Sequence, residues 1–113
     1  MVDLAVVGSR SFNDYNLLKN TLDKYDINKI ISGGAKGADQ LAERYAKENG
    51  IETLILKPDW KKYPRAAGII RNKDIIGACT EVVAFWDGKS PGTKNSIGLA
   101  EEMGKPCNKV IYS

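Results

Sequence analysis

Five short apolar runs alternate along the chain with four amphipathic stretches. The runs are rich in Val and Ile and are nearly continuous, with few polar residues between the apolar ones. Strands that are covered by helices on both faces have this pattern, whereas strands with one face in water alternate apolar and polar side chains. The predicted strands are Leu4–Gly8, Ile27–Ser32, Thr53–Leu56, Val82–Trp86 and Val110–Tyr112.

The stretches between the runs have helical spacing. The clearest carries an apolar stripe from Ala38 to Ala46 at positions i, i+3, i+4 and i+7, and it ends at Asn49-Gly50, a common helix stop. The others carry Leu18, Leu22 and Tyr25, span about Pro64–Ala78, or run from Lys94 to Met103.

Strands and helices that alternate in this way predict parallel strands joined by right-handed crossovers. We therefore expect an α/β fold, a three-layer Rossmann-like domain with a five-stranded, mostly parallel sheet and helices on both faces. With 113 residues, the chain is long enough for one hydrophobic core but not for two, so residues 1–113 are predicted to form a single domain.

The composition indicates the class of protein. Hydrophobic residues make up 42% of the chain and charged residues 27%, as in ordinary globular proteins. No apolar run approaches the roughly 20 residues of a membrane-spanning helix. The first strand begins at Asp3 or Leu4, which leaves no room for a signal peptide, so we expect a cytoplasmic protein with no membrane partner.

The chain contains no histidine. This excludes Ser-His-Asp and Cys-His nucleophiles built from its residues, and it removes the usual imidazole ligands of catalytic zinc. Cys79 and Cys107 lack a metal-ligand spacing and are expected to be free, buried thiols. We expect no metal and no cofactor, so any chemistry must come from carboxylates, Arg, Lys, hydroxyls or the backbone.

Ligands of such sheets bind beyond the carboxyl ends of the strands, where the strand order reverses. After the first predicted strand comes Gly8-Ser9-Arg10, which offers a tight turn, a hydroxyl and a planar cation suited to phosphate. By itself this motif also fits an ordinary turn between a strand and a helix.

The loop after the second predicted strand is rich in glycine. Gly33, Gly34 and Gly37 fall within five residues directly before a helix, so backbone N–H groups could converge there on an anion. Lys36 would add positive charge. Asp39 is either part of this site or simply a favourable acid in the first helical turn.

The loop after the fourth predicted strand runs from Asp87 to Thr93, with Gly88 and Gly92 inside it. Thr93 is the predicted N-cap of the last helix. The Gly88-Lys89-Ser90 sequence is not a P-loop, because Val83 stands where that motif requires its first glycine. This excludes an ATPase of the P-loop class.

The third predicted helix places Asn72 among core-facing residues. Ile69, Ile76 and Cys79 are expected on the buried face with it, and Arg71 lies beside it. A buried amide must find hydrogen-bond partners. Asn72 therefore either braces a neighbouring loop or contacts a ligand, and Arg71 either binds phosphate or faces solvent.

As a set, these motifs resemble a known family. Gly8-Ser9-Arg10, Ser32–Asp39, Pro58-Asp59-Trp60, Arg71-Asn72 and Ala84–Thr93 are similar in order and spacing to the YspA / cpYpsA-related branch of the SLOG superfamily. The superfamily is Rossmann-like, includes the LOG phosphoribohydrolases and the DNA-processing protein DprA, and is regarded as binding nucleotides or their derivatives. The resemblance thus implies a nucleotide-derived ligand and is compatible with a homodimer.

Three functions follow from the resemblance. The first is binding, or sensing, of a nucleotide or nucleotide-derived small molecule, with phosphate on the Gly33–Gly37 and Gly92-Thr93 loops. The second is LOG-like hydrolysis of the N-glycosidic bond of a nucleoside monophosphate, but Ser96 stands where LOG enzymes place a glutamate. The third is DprA-like binding of single-stranded DNA, to which a net charge of +3 with mixed signs gives little support.

The predicted ligand-binding residues come from four segments of the chain. They are Gly8, Ser9, Arg10, Gly33, Gly34, Lys36, Gly37, Asp39, Arg71, Asn72, Asp87, Gly88, Gly92 and Thr93.

Overall fold

The computed structural model describes residues 1–112 of the chain. The strands are β1 (Val2–Gly8), β2 (Ile27–Ser32), β3 (Glu52–Ile55), β4 (Glu81–Trp86) and β5 (Cys107–Ile111). The helices are α1 (Tyr15–Leu22), α2 (Ala38–Glu48), α3 (Ala67–Ala78) and α4 (Pro91–Glu102).

The five strands form one sheet in the order β3-β2-β1-β4-β5, and all four neighbouring pairs are parallel. The chain builds outward from β1 through β2 to β3, and then crosses back to place β4 on the other side of β1. The strand order therefore reverses between β1 and β4, where a crevice opens at the carboxyl ends. The predicted α/β Rossmann-like fold is confirmed.

Helices α1 and α2 cover one face of the sheet. Leu18 and Leu22 of α1, together with Ala42 and Tyr45 of α2, pack on alternate residues of the central strands. Asp14 fixes the start of α1, because its carboxylate accepts a hydrogen bond of 3.0 Å from the Leu17 N–H. Tyr25, expected in this helix, lies beyond its end at Leu22.

Helices α3 and α4 cover the opposite face, so the domain has three layers. Ile75 and Ile76 of α3 pack with Ile97 of α4 against β1, β2 and β4. The predicted core stripe of α3 was wrong at Ile69, whose side chain is 61% exposed. The prediction is confirmed at Ile76 and Cys79, which are both buried, and Ala67 and Ile75 complete the buried face.

Helix α4 begins earlier than its hydrophobic pattern predicted. It starts at Pro91, so Ser90 is the N-cap and Thr93 lies inside the first turn. The N-cap prediction for Thr93 was therefore wrong. Proline is favoured at the first helical position, where its missing N–H costs nothing. Within residues 1–112, no helix has both the length and the apolar character needed to cross a membrane.

Candidate functional site

A cleft of about 510 Å³ opens at the carboxyl end of the sheet, between the loops that follow β1 and β4. This volume lies within the range of about 300–1,000 Å³ that is usual for small-molecule sites. Of the predicted ligand-binding residues, the walls contain Gly8, Ser9, Arg10, Asp39, Arg71, Asn72, Asp87, Gly92 and Thr93.

The remaining predicted residues lie outside these walls: Gly33, Gly34, Lys36, Gly37 and Gly88. Conversely, the walls include residues that the sequence did not single out as ligand-binding: Val7, Ser11, Ala35, Ile75, Ser90, Pro91 and Ser96. Helical spacing was the available signal for Ile75, because it lies four positions after Arg71 and so shares its face of α3.

Gly8 allows three elements to meet at the floor of the cleft. A Cβ atom at this position would lie 2.5 Å from the Ala38 Cβ and 2.7 Å from the Phe85 carbonyl oxygen. Only a residue without a side chain lets the start of α2 and strand β4 approach β1 this closely.

The loops that follow β1 and β4 are joined by Ser9. Its backbone N–H donates to the Phe85 carbonyl at 3.0 Å, and its hydroxyl oxygen accepts a hydrogen bond of 3.3 Å from the Asp87 N–H. Ser9 is buried. The two sides of the crevice are thus tied together by one small polar residue.

The glycine-rich loop after β2 gathers backbone N–H groups around an anion, but that anion belongs to the protein. The Asp39 carboxylate accepts hydrogen bonds from the N–H groups of Gly33, at 3.0 Å, and Ala35, at 3.2 Å. The buried Asp39 therefore occupies these two amides. Phosphate binding by the rest of the loop stays a prediction.

Burial raises the pKa of Asp39, while the two N–H donors and the nearby Arg71 act in the opposite direction. The glycines of this loop serve close packing. A Cβ at Gly37, where φ is +83°, would collide with the Ser9 carbonyl oxygen and lie 2.8 Å from that of Arg10. Lys36 is exposed. The loop therefore packs against the backbone of Ser9 and Arg10, which line the cleft.

Arg71 projects from α3 toward the same loop. Its Nη1 donates to the Gly33 carbonyl oxygen at 2.9 Å, and its Nε donates to the Asn72 Oδ1 at 3.1 Å. Partial burial lowers the pKa of Arg71, the Asp39 carboxylate opposes this change, and the charge of Arg10 adds to it. Two guanidinium groups therefore line the same cleft.

Asn72 links the two helices on this face of the sheet. Its amide nitrogen donates to the Asn95 Oδ1 of α4 at 3.2 Å, while its oxygen accepts from Arg71. The amide thus finds its partners in side chains, not in the loop backbone that the sequence suggested. It orients Arg71 at the wall of the cleft.

The N-terminus of α4 also lines the cleft, and its first turn has no side-chain cap. Ser90 makes no side-chain cap, because its hydroxyl donates to the Asp87 carboxylate at 2.8 Å, and no acidic residue lies in the first turn. Gly92 and Thr93 both line the cleft. Their N–H groups belong to the first turn, which has no intrahelical acceptors, and they lie at the positive end of the helix dipole.

Asp87 organises the loop that leads into α4. Its Oδ1 accepts hydrogen bonds from the N–H groups of Ser90, at 2.7 Å, and Lys89, at 2.9 Å. These bonds, the one from Ser90 foremost, lower the pKa of Asp87 to about 2. The carboxylate therefore stays ionised and committed to the loop.

A pH series can test this role of Asp87. Since its pKa is lower in the folded state, its stabilisation is complete above its ordinary pKa near 3.8 and is lost as the pH falls toward about 2. We expect Asp87→Asn to unfold more easily than the parent protein at pH 7, and this difference to shrink between about pH 4 and pH 2. Urea midpoints across this range measure it, and a difference that is unchanged at pH 2 would contradict it.

Comparison with known proteins gives a family match, a similar phage protein and solved structures with a similar fold. Residues 2–63 match the profile of the YspA, cpYpsA-related SLOG family. The chain is similar to the Gene 61 protein of Mycobacterium phage D29, with 30% identity over an alignment of 112 positions that covers 89% of this chain and 90% of that protein.

Among solved structures, the fold is similar to DNA processing protein A (DprA) from Streptococcus pneumoniae, with a TM-score of 0.81, 23% identity and 98% of this chain covered. It is also similar to DprA from Helicobacter pylori, which was solved to study its single-stranded DNA binding mode, with a TM-score of 0.74, 24% identity and 96% of this chain covered. The chain spans only 50% and 64% of those two proteins.

Proposed function

Because the chain belongs to the YspA, cpYpsA-related SLOG family, we propose that the cleft between β1 and β4 binds a nucleotide or a nucleotide-derived small molecule. In this proposal the phosphate lies at the N-terminus of α4, on the N–H groups of Gly92 and Thr93. Arg10, which lines the cleft, adds a guanidinium group that can donate two hydrogen bonds to the phosphate.

The observation that carries the proposal is that the uncapped first turn of α4 and two arginines, Arg10 and Arg71, line the same cleft. A helix N-terminus attracts anions because its first N–H groups lack partners and the helix dipole is positive there. Here the Ser90 hydroxyl donates to Asp87 and does not cap the helix, so the first N–H groups of α4 are left to a ligand. Neither Arg10 nor Arg71 forms an ion pair with a carboxylate among residues 1–112.

The rest of the cleft suits the nucleoside part. Val7 and Ile75 bring apolar side chains to the wall, and Asn72 brings an amide. A site with a few polar groups on a partly apolar wall is typical of small-molecule binding. DprA from Helicobacter pylori, which binds single-stranded DNA, shows that a protein containing a similar fold binds a nucleic acid.

Binding without hydrolysis fits the carboxylates of the cleft better than LOG-like chemistry. Glycoside hydrolysis uses carboxyl groups placed at the reacting carbon. Asp39 is held by the glycine-rich loop and Asp87 by the α4 loop. At position 96 the serine hydroxyl donates to the Gly92 carbonyl at 3.4 Å. We therefore expect nucleoside monophosphates to remain intact after incubation with the protein, and release of free base would contradict this.

Thermal unfolding with a ligand panel tests binding directly, because a ligand that binds only the folded state raises the Tm. The panel contains nucleoside mono- and diphosphates, dinucleotides, ADP-ribose and cyclic nucleotides, with inorganic phosphate for comparison. We expect at least one nucleotide to raise the Tm by more than phosphate does. A Tm unchanged by every member would overturn the proposal.

Arg10→Ala should weaken binding of the best nucleotide at least ~10-fold, since a charge-assisted hydrogen bond to phosphate contributes on the order of 1.5–3 kcal/mol. Isothermal titration calorimetry measures the change. Lys36→Ala is the matched control, because Lys36 is an exposed cation of a neighbouring loop that does not line the cleft. Equal losses in both variants would mean that net charge alone, and not the cleft, attracts the ligand.

A further inference from the structure

The positive charge of the chain is concentrated in the connection between β3 and α3. Residues Lys57–Arg65, which we call the basic segment, contain four cations and one carboxylate, and their net charge of +3 equals that of the whole chain. The other residues therefore sum to zero. Charge that is gathered in one short surface segment is the electrostatic pattern of a polyanion-binding site.

These cations are exposed and free of acidic partners. Lys57, Lys61, Lys62 and Arg65 are all exposed, and none of them takes part in the ion pairs found among residues 1–112. The one carboxylate of the segment, Asp59, accepts a hydrogen bond of 3.1 Å from the Lys62 N–H. The lysines and the arginine are thus available for an outside anion.

The basic segment also presents an aromatic ring. The Trp60 side chain is 52% exposed, although tryptophan is usually well buried. A Cβ at Gly68 would lie only 3.6 Å from the Trp60 Cη2, so the indole packs over the backbone of this glycine. It is therefore supported by the first turn of α3 and partly open to solvent.

The segment lies next to the cleft. The Lys57 side chain packs against Gly34, where a Cβ would lie 3.3 Å from its Cε. Gly68, under the indole, precedes Arg71 by three residues, a separation along the α3 axis of roughly 4.5 Å. A linear polymer bound along the basic segment would therefore extend toward the cleft.

We propose that Lys57–Arg65 is a binding surface for single-stranded nucleic acid, with its cations on phosphates and Trp60 stacked on a base. Aromatic rings between cations bind unpaired bases, because every base offers a flat π-face. A duplex hides these faces, so it would gain from the charges but not from the indole. The proposal does not depend on which small molecule the cleft binds.

Fluorescence anisotropy of a labelled oligothymidylate, with oligouridylate and a DNA hairpin duplex beside it, tests the proposal. We expect both single strands to bind and the duplex to bind several-fold more weakly. Trp60→Ala should weaken single-strand binding about tenfold, since stacking contributes roughly 1–3 kcal/mol per base. Equal affinity for the duplex, no binding to either single strand, or an unaffected Trp60→Ala variant would overturn it.

Two charge variants separate local contacts from net charge. Lys61→Gln/Lys62→Gln removes two cations of the segment, and Lys24→Gln/Lys47→Gln removes two exposed cations elsewhere. We expect the first to bind about tenfold more weakly, with a salt-dependence slope smaller by about 1.4, and the second to bind like the parent protein. Equal losses, or full competition by polyglutamate at the same charge concentration, would assign the surface to acidic proteins or to general attraction.

Tryptophan fluorescence gives a readout that a structural role of Trp60 would not change. The chain has two tryptophans, and Trp86 donates its indole N–H to the Ser90 carbonyl at 3.1 Å. Quenching by oligothymidylate should persist in Trp86→Phe and disappear in Trp60→Phe. In the Lys61→Gln/Lys62→Gln protein, the Tm shift by the mononucleotide of the panel should stay unchanged. This result keeps a failure of the segment distinct from a failure of the cleft.

Discussion

Gly8→Ala is expected to lower the free energy of unfolding by about 3 kcal/mol and to abolish nucleotide binding, because overpacking of a tight contact costs on the order of 1–3 kcal/mol even when the structure adjusts. The added methyl group would lie 2.5 Å from the Ala38 Cβ and 2.7 Å from the Phe85 carbonyl oxygen. Both neighbours belong to regular elements, so relief requires α2 to move away from the sheet. Urea denaturation and calorimetry with the best nucleotide measure the two effects.

Gly98→Ala is the matched control for this prediction. Gly98 lies inside α4, where a Cβ would meet nothing within 4 Å. Alanine is the better helix former by roughly 1 kcal/mol, so this variant should be somewhat more stable than the parent protein and should bind nucleotide normally. If Gly8→Ala were as stable as Gly98→Ala, the close approach of α2 and β4 to Gly8 would not exist in solution.

The fold could be predicted from the sequence because buried parallel strands leave a simple pattern. Val6 and Val83 are fully buried on paired positions of β1 and β4, and such positions produce continuous apolar runs. The runs fix the number of strands, and the helices between them fix their parallel direction. The bounds of β5 were harder, because Asn108 and Lys109 are exposed edge residues without an apolar pattern.

The place of the cleft was also predictable, since it depends on topology. Gly8 and Thr93 line it because their loops follow strands on either side of the point where the strand order reverses. The position of each loop directly after a predicted strand was therefore enough to place the cleft. Whether these residues contact a ligand stays a prediction that the variants above test.

The role of the glycine-rich loop could not be predicted from its composition. Glycines before a helix gather N–H groups equally well around a bound phosphate and around a carboxylate of the protein. The choice depends on where the Asp39 side chain points, and it turns back to Gly33 and Ala35. An acid in the first turn of α2 was the warning signal, because it competes with any ligand for the same positive helix end.

The last helix presents the opposite case. Its first turn has no acid, and Pro91 at its start signals a helix that begins before Thr93. Position 92 is exposed, a Cβ there would meet nothing within 4 Å, and its φ is not in the left-handed region. A side chain can therefore be added at Gly92 without a clash. This makes it the best place to separate stability from binding.

Gly92→Asp is expected to raise the free energy of unfolding by about 0.5 kcal/mol, because an acid at this end of a helix is favourable by roughly 0.3–1 kcal/mol. The same carboxylate would occupy the proposed phosphate position, and its repulsion of a bound phosphate should weaken nucleotide binding at least ~30-fold. Gly92→Asn, equal in size but neutral, should retain most of the binding. Thermal unfolding and calorimetry on the same samples measure both effects. Nucleotide binding by Gly92→Asp at the affinity of Gly92→Asn would mean that the phosphate does not lie at the N-terminus of α4.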